Sequence, residues 1–222
     1  MSNQDRSNTT KKSTVYVALI TALAIIIGSV ILGLGGQTTP QEPTPEAAPA
    51  VELPNAGITE SNKASITFNT NQGEIVIETL PALAPLTVNA LAALAQKNYF
   101  DNTICHRLTT EGIFVLQCGD PTGTGTGGPG FNIPDENLPQ PTENNYPAGT
   151  VAMANAGPGT SGSQFFLVYQ DTTLGPDYTI WGSITSGLDI LQTIASAGVV
   201  DGGADGAPLT GVTIESTKVT IS

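Results

Sequence analysis

The architecture of this chain turns on Met153-Ala-Asn-Ala-Gly-Pro-Gly-Thr-Ser-Gly-Ser-Gln-Phe-Phe166. Its glycines, its proline and its small hydroxyl residues forbid a regular helix. An apolar run, Phe165 to Val168, follows at once and reads as a buried strand. A Gly-rich loop feeding a strand brings backbone amides close to whatever lies above it. Gln164 adds one amide side chain beside two aromatic rings. That combination suits an apolar pocket with a few placed polar groups. On composition alone, a Gly-rich turn before a core strand is the alternative.

The remaining chain sets bounds. It has 222 residues, enough for one domain or two small ones. Lys and Arg number 7 against 19 Asp and Glu. Arg6, Lys11 and Lys12 precede residue 13, so the body keeps 4 cations against 18 acids, a formal charge of −14. Nucleic-acid phosphates demand Lys and Arg, so nucleic acid is not an expected partner. Anionic lipid heads should repel this body too. Two cysteines, Cys105 and Cys118, and one histidine, His106, make neither a Cys-x-x-Cys nor a His/Cys cluster. No metal site is expected.

Residues 1–14 read as a polar, basic cytoplasmic tail. Val15 to Leu34 is a 20-residue uncharged run rich in Ile, Leu, Val and Ala. At 1.5 Å per residue it spans roughly 30 Å, a bilayer core, and predicts a transmembrane helix. Signal-peptide cores are usually shorter and end at a small-x-small site, which is not evident here, so an uncleaved anchor is expected, with a cleaved signal as the alternative. The basic flank predicts a cytoplasmic N-terminus, with the acidic body outside the cell membrane. Residues 35–62 read as a Pro/Glu/Ala-rich linker, with Pro40, Pro43, Pro45, Pro49 and Pro54 favouring extended conformations.

The body is predicted over 63–222. Ile66 and Phe68, then Ile75 and Ile77, alternate with polar residues around a turn and predict two paired strands. Pro85 to Asn98 reads as a helix with Pro in its first turn and Asn98 as its stop. Leu188 to Ala197 reads as a second helix ended by Gly198. In the last strand, Val212 to Ile221, the apolar phase breaks, which predicts a bulge near Glu215–Thr217. Gly119 to Gly149 reads as one long functional loop. Its Gly-Thr-Gly-Thr-Gly-Gly run lacks the Gly-Lys-Ser/Thr that phosphate binding would need. Short strands, long loops and two helices predict a mainly β, closed antiparallel barrel.

Met-Ala-Asn-Ala-Gly-Pro followed by Gly-Ser-Gln-Phe-Phe closely resembles the signature of the cyclophilins, the peptidyl-prolyl cis-trans isomerases. Further matches are Thr103-Ile-Cys-His-Arg-Leu108, Gln117-Cys-Gly-Asp-Pro121, the Gly-Thr-Gly-Thr-Gly-Gly loop, Asp135-Glu-Asn137 and Tyr178-Thr-Ile-Trp-Gly182. The resemblance covers roughly Ser65 to Ile221. It implies eight strands with the two helices plugging the barrel ends. The anchor and linker lie outside the family's fold.

Rotation about an X-Pro bond faces a barrier of about 18–20 kcal/mol from amide resonance. Lowering it requires no nucleophile, metal or cofactor, only a site complementary to the twisted amide. Twisting localises the prolyl nitrogen lone pair, which a hydrogen-bond donor can stabilise. Arg107 matches the family's Arg in this role, and its guanidinium is a fixed fork of donors. The resemblance implies an apolar cup of Phe114, Val115, Phe166 and Leu174. Gln117 and Gln164 would orient Arg107 and the substrate carbonyl. Ala154 and Asn155 would present backbone to proline-containing peptides. Tyr178 stands at the rim, where eukaryotic members often carry His. Thr173 stands where many carry a Trp that helps hold cyclosporin, so weak cyclosporin binding is expected.

The segment from His106 to Phe114 is two residues longer than the common pattern, with Thr109-Thr-Glu-Gly112 in place of a Pro-Gly turn. A peptide-binding module or chaperone with little turnover is therefore the rival reading. His106 should point opposite to Arg107 and serve structure. Ser161 and Ser163 lack the acid and His pairing of a triad. Cys105 and Cys118 flank a hairpin between the strands of Arg107 and Gln117. An oxidising exterior would favour a disulfide there, worth up to about 3 kcal/mol, with two buried thiols as the alternative.

Overall fold

In the computed structural model, residues 52–222 are described. The expected tail, membrane span and most of the linker lie outside them. Among the described residues, no helix is long and apolar enough to cross a membrane.

β1 (Ala64–Thr70) and β2 (Gly73–Thr79) form the expected antiparallel pair, with Ile66 opposite Ile77 and Phe68 opposite Ile75. All four side chains are buried. α1 (Pro85–Gln96) starts on its proline, and Asn98 just beyond it takes the left-handed conformation at φ 58°. Its buried residues run from Thr87 to Ala95 without a break, so it is enclosed all round rather than on one face. No side chain of its own caps it. The Glu136 carboxylate, from the long loop, accepts the Leu86 and Thr87 amides at 3.1 and 2.8 Å.

β3 (Thr103–Ile104), β4 (Arg107–Thr109), β5 (Val115–Cys118), β6 (Thr150–Met153), β7 (Phe165–Val168) and β8 (Ile180–Ser186) follow. α2 (Leu188–Ala197), β9 (Asp205–Gly206) and β10 (Thr213–Ile221) complete the chain. α2 has the bounds read from sequence, ends at Gly198, and buries Leu191 and Ile194. On β10, Ser216 pairs with Asn69 and Ile214 with Thr70, so Glu215 is the extra residue of the expected bulge.

The closed eight-stranded barrel requires correction. One curled sheet of ten strands runs in the order β3-β10-β1-β2-β8-β6-β7-β5-β4-β9, and its two edges do not pair. The reason lies at Cys105–His106. The strand leading to Arg107 breaks there, giving β3 to the β10 edge and β4 to the β5 side. Two residues of chain, not a hydrogen-bonded ladder, therefore link the two sides of the opening.

The sheet buries both faces where β6 and β7 lie. Phe165 and Leu167 join the main core with Val151 and Met153. Phe166 and Val168 point the other way and pack with Ala152, Val115 and Tyr146 in a smaller cluster. The uninterrupted apolar run after Gln164 thus reflects a strand enclosed on both sides. Leu53, Ala56 and Ile58, read as linker, pack against the main core. Asn89 on α1 accepts the Ile58 amide and donates to its carbonyl, at 2.9 and 2.8 Å. The folded body therefore begins before Lys63.

Candidate active site

The smaller cluster floors a cleft of about 510 Å³. Val115 and Phe166 form its base, Leu174 and Tyr178 one wall, and Arg107 and Gln117 the polar side. The rings interlock edge-on: Phe166 and Tyr178 lie 5.5 Å apart at 82°. Beneath them the buried Tyr146 hydroxyl donates to the Tyr178 carbonyl and accepts its amide, both at 3.1 Å. Asn145 pairs with the Leu174 backbone in the same two-way manner. These bonds set the wall, which lies in an irregular segment between β7 and β8.

β4 and β5 pair Arg107 with Gln117, and β5 and β7 pair Gln117 with Phe166. The three residues therefore stand in a row across the sheet. Arg107 Nε and Nη2 donate to the two carboxylate oxygens of Asp205 at 2.7 and 2.6 Å. Its Nη1 donates to Gln117 Oε1 at 3.3 Å. Gln117 Nε2 donates to Gln164 Oε1 at 2.8 Å, and Gln164 donates onward to the Gly125 and Gly127 carbonyls. Hydrogen bonds from Arg107 hold the Asp205 carboxyl below its ordinary pKa, and they raise that of Arg107.

The Gly-Thr-Gly-Thr-Gly-Gly run wraps the fully buried Asp120 carboxylate. The Thr122, Gly125 and Gly127 amides donate to it at 2.7, 2.7 and 3.0 Å, with the Thr122 hydroxyl at 2.7 Å. Burial pushes the Asp120 pKa up, but these hydrogen bonds outweigh it and hold the group far below the carboxylate range. A Cβ on Gly127 would collide with Asp120 Oδ1. The run thus encloses an anion of the protein itself.

Residues 65–219 match the family described as cyclophilin type peptidyl-prolyl cis-trans isomerase/CLD. The chain belongs to this family. A Mycobacterium leprae protein named "Probable peptidyl-prolyl cis-trans isomerase B" is 45% identical over 203 residues, 85% of this chain and 68% of that one. The protein of the same name from Mycobacterium tuberculosis H37Rv is 48% identical over 188 residues, 78% of this chain and 61% of that one. The chain thus spans only 61–68% of the length of these relatives. A cyclophilin type peptidyl-prolyl cis-trans isomerase of Cryptosporidium parvum was crystallised in the presence of the dipeptide Ala-Pro. It aligns with a TM-score of 0.61 at 30% identity, over 70% of this chain and 98% of that one.

In this cyclophilin, Arg107, Val115, Gln117, Ala154, Asn155, Phe166, Leu174 and Tyr178 all line the one cleft. Gln164 lies next to it and joins through Gln117. Phe114 does not line it, which corrects its place in the cup. It packs on Tyr169, with ring centroids 6.0 Å apart, against the main core. Ile113 lines the cleft instead. Alternation explains the exchange, because with Gln117 facing the cleft, Val115 and Ile113 share its side and Phe114 opposes them. His106 reaches the cleft edge beneath Gly125. Neither of its ring nitrogens has a partner among the described residues, and burial lowers its pKa. Ser161 is buried, while the Ser163 hydroxyl donates to the Gly119 carbonyl at 2.7 Å.

Cys105 and Cys118 form a disulfide. It ties the break before β4 to Cys118 at the end of β5, next to the Arg107–Gln117 pair. Asp205 and Ile113 were not singled out from sequence. Ile113 follows from the alternation that Gln117 sets. Asp205 lies 98 residues from Arg107 in an Asp/Gly-rich turn, and nothing local marks it.

Proposed function

We propose that the cleft binds proline-containing segments of exported or cell-envelope proteins and accelerates rotation about their X-Pro bonds. The observation that carries this reading is a guanidinium at the mouth of an aromatic cup, in a body with four cations. The cup of Phe166, Val115, Ile113, Leu174 and Tyr178 receives the prolyl ring. Arg107 donates to the prolyl nitrogen as the amide twists, an interaction stronger in the transition state than in either planar isomer. Gln117 orients Arg107, and Gln164 secures Gln117. The Asn155 side chain is occupied, donating to the Asp177 carbonyl at 2.8 Å. Its contribution to a bound peptide is therefore its backbone, as is that of Ala154. Uncatalysed prolyl steps take tens of seconds or more. The full chain should abolish the slow phase of a protein whose refolding is limited by such a step. Peptide binding with the slow phase untouched would favour the binding-module alternative.

The setting is part of the proposal. Residues 1–14 form a cytoplasmic tail, 15–34 cross the lipid bilayer once, and the linker holds the isomerase domain outside the cell membrane. The charge-free apolar run and its basic flank support this reading. Protease added to intact cells should remove the domain, and protection from it would count against the arrangement. Cyclosporin should bind weakly, because Thr173 offers a small polar group whose hydroxyl already accepts the Asn144 amide at 2.8 Å. An inhibition constant matching that of sensitive members would refute this.

A further inference from the structure

A guanidinium carries five N–H donors. In Arg107 three are engaged: one on Nε and one on Nη2 with Asp205, and one on Nη1 with Gln117. One donor remains on each terminal nitrogen, and Arg107 lines the cleft. The structure assigns Asp205 as a positioning residue for the isomerase: its carboxylate grips the Arg107 guanidinium from the side and so aims the remaining donors into the cleft. This rests on the isomerase reading above.

The chain holds Asp205 firmly enough for that task. β9 pairs with β4, setting Asp205 against Thr109 and Gly206 against Leu108. Beside that ladder, the Thr110 amide donates to the Ala204 carbonyl at 2.8 Å. The far side is tied as well. The Val200 amide donates to Ala207 and the Leu209 amide to Gly198, at 2.9 and 2.8 Å, which fastens the excursion to the end of α2. Asp205 therefore stands on a strand paired to the strand of Arg107, not on a free loop. A two-point grip between planar groups fixes orientation as well as distance. Long flexible side chains lose catalytic effect when they must be ordered in each turnover, and a fixed donor avoids that cost.

Two other roles make different predictions. An ordinary surface ion pair would leave the kinetics unmoved when removed. A carboxylate masking Arg107 from substrate would raise activity when removed.

The test uses the full chain with Asp205→Asn, Asp205→Ala and Asp205→Glu. Exchange of an Ala-Pro peptide by NMR separates kcat from KM, and a ¹⁵N–¹H correlation follows the Arg107 Nε–H resonance. Positioning predicts that kcat falls about tenfold in Asp205→Asn and Asp205→Ala, with KM kept within about twofold and partial recovery in Asp205→Glu. The Nε–H resonance should shift in both neutral variants. A kcat unchanged or raised in them overturns the proposal, as does a resonance that stays in place. Should Asp205→Ala not fold, the isosteric Asp205→Asn gives both readouts. Should the unmodified chain fail to accelerate exchange, the isomerase reading falls, while the resonance still decides whether Asp205 holds Arg107.

Discussion

Arg107 and the cup beneath it make separable demands on side-chain chemistry. Lys at 107 keeps a positive charge but replaces a planar fork with a single flexible ammonium. Arg107→Lys should therefore lose the two-point contact with Asp205, and peptide exchange should show kcat down by about tenfold or more with folding intact. Phe166 is 5% exposed and packs edge-on against Tyr178. Phe166→Ala should cost about 3–5 kcal/mol in denaturant unfolding and raise KM, because the prolyl ring loses its floor. At this scale the sequence carried most of the cleft. Arg107 stands out as a rare cation in an acidic body, and the resemblance supplies Val115, Gln117, Phe166, Leu174 and Tyr178 around it. The resemblance implies Phe114 in the cup, but alternation along the strand turns it to the opposite side, against Tyr169. Asp205 is invisible locally, since only the pairing of β9 with β4 brings it to Arg107.

The elements that carry these residues depend on contacts from distant segments. The Cys105–Cys118 bridge closes a 12-residue loop that contains β4 and most of β5. Replacing both cysteines with serine should lower unfolding free energy by up to about 3 kcal/mol, read from urea or guanidinium curves. α1 has no cap of its own, and its first amides rely on Glu136. Glu136→Ala should cost about 1–2 kcal/mol by the same measurement. Local pattern made α2, the β1–β2 pair and the β10 bulge legible, because periodicity and glycine report directly on backbone. It could not reveal that the sheet stays open. That depends on a break at Cys105–His106, where an apolar residue followed by His looks like continuing strand.

Across the whole molecule, charge ties stability to pH from both sides. Burial lowers the His106 pKa from 6.5, although Asp120 opposes the shift. Between the folded and unfolded values the unfolded chain binds more protons, so stability is complete above about 6.5 and declines as pH falls through it. His106→Gln should flatten that part of the curve. Asp120, depressed by its ring of donors, extends the loss below its ordinary value of 3.8. Burial raises Tyr146 from 10.0 to about 12. The folded state keeps that proton longer, so stability is complete below about 10 and falls as pH rises toward 12. Urea midpoints taken across pH should show a plateau bounded on both sides. A flat midpoint between pH 7 and 5 in the unmodified chain would contradict the His106 assignment. The most direct test of the whole account is cis-trans exchange of an Ala-Pro peptide by NMR, with the full chain and with Arg107→Ala. Rapid exchange that collapses in the variant, with peptide binding retained, is the predicted result. Exchange equally fast in the variant, or peptide binding without acceleration in the unmodified chain, would contradict it.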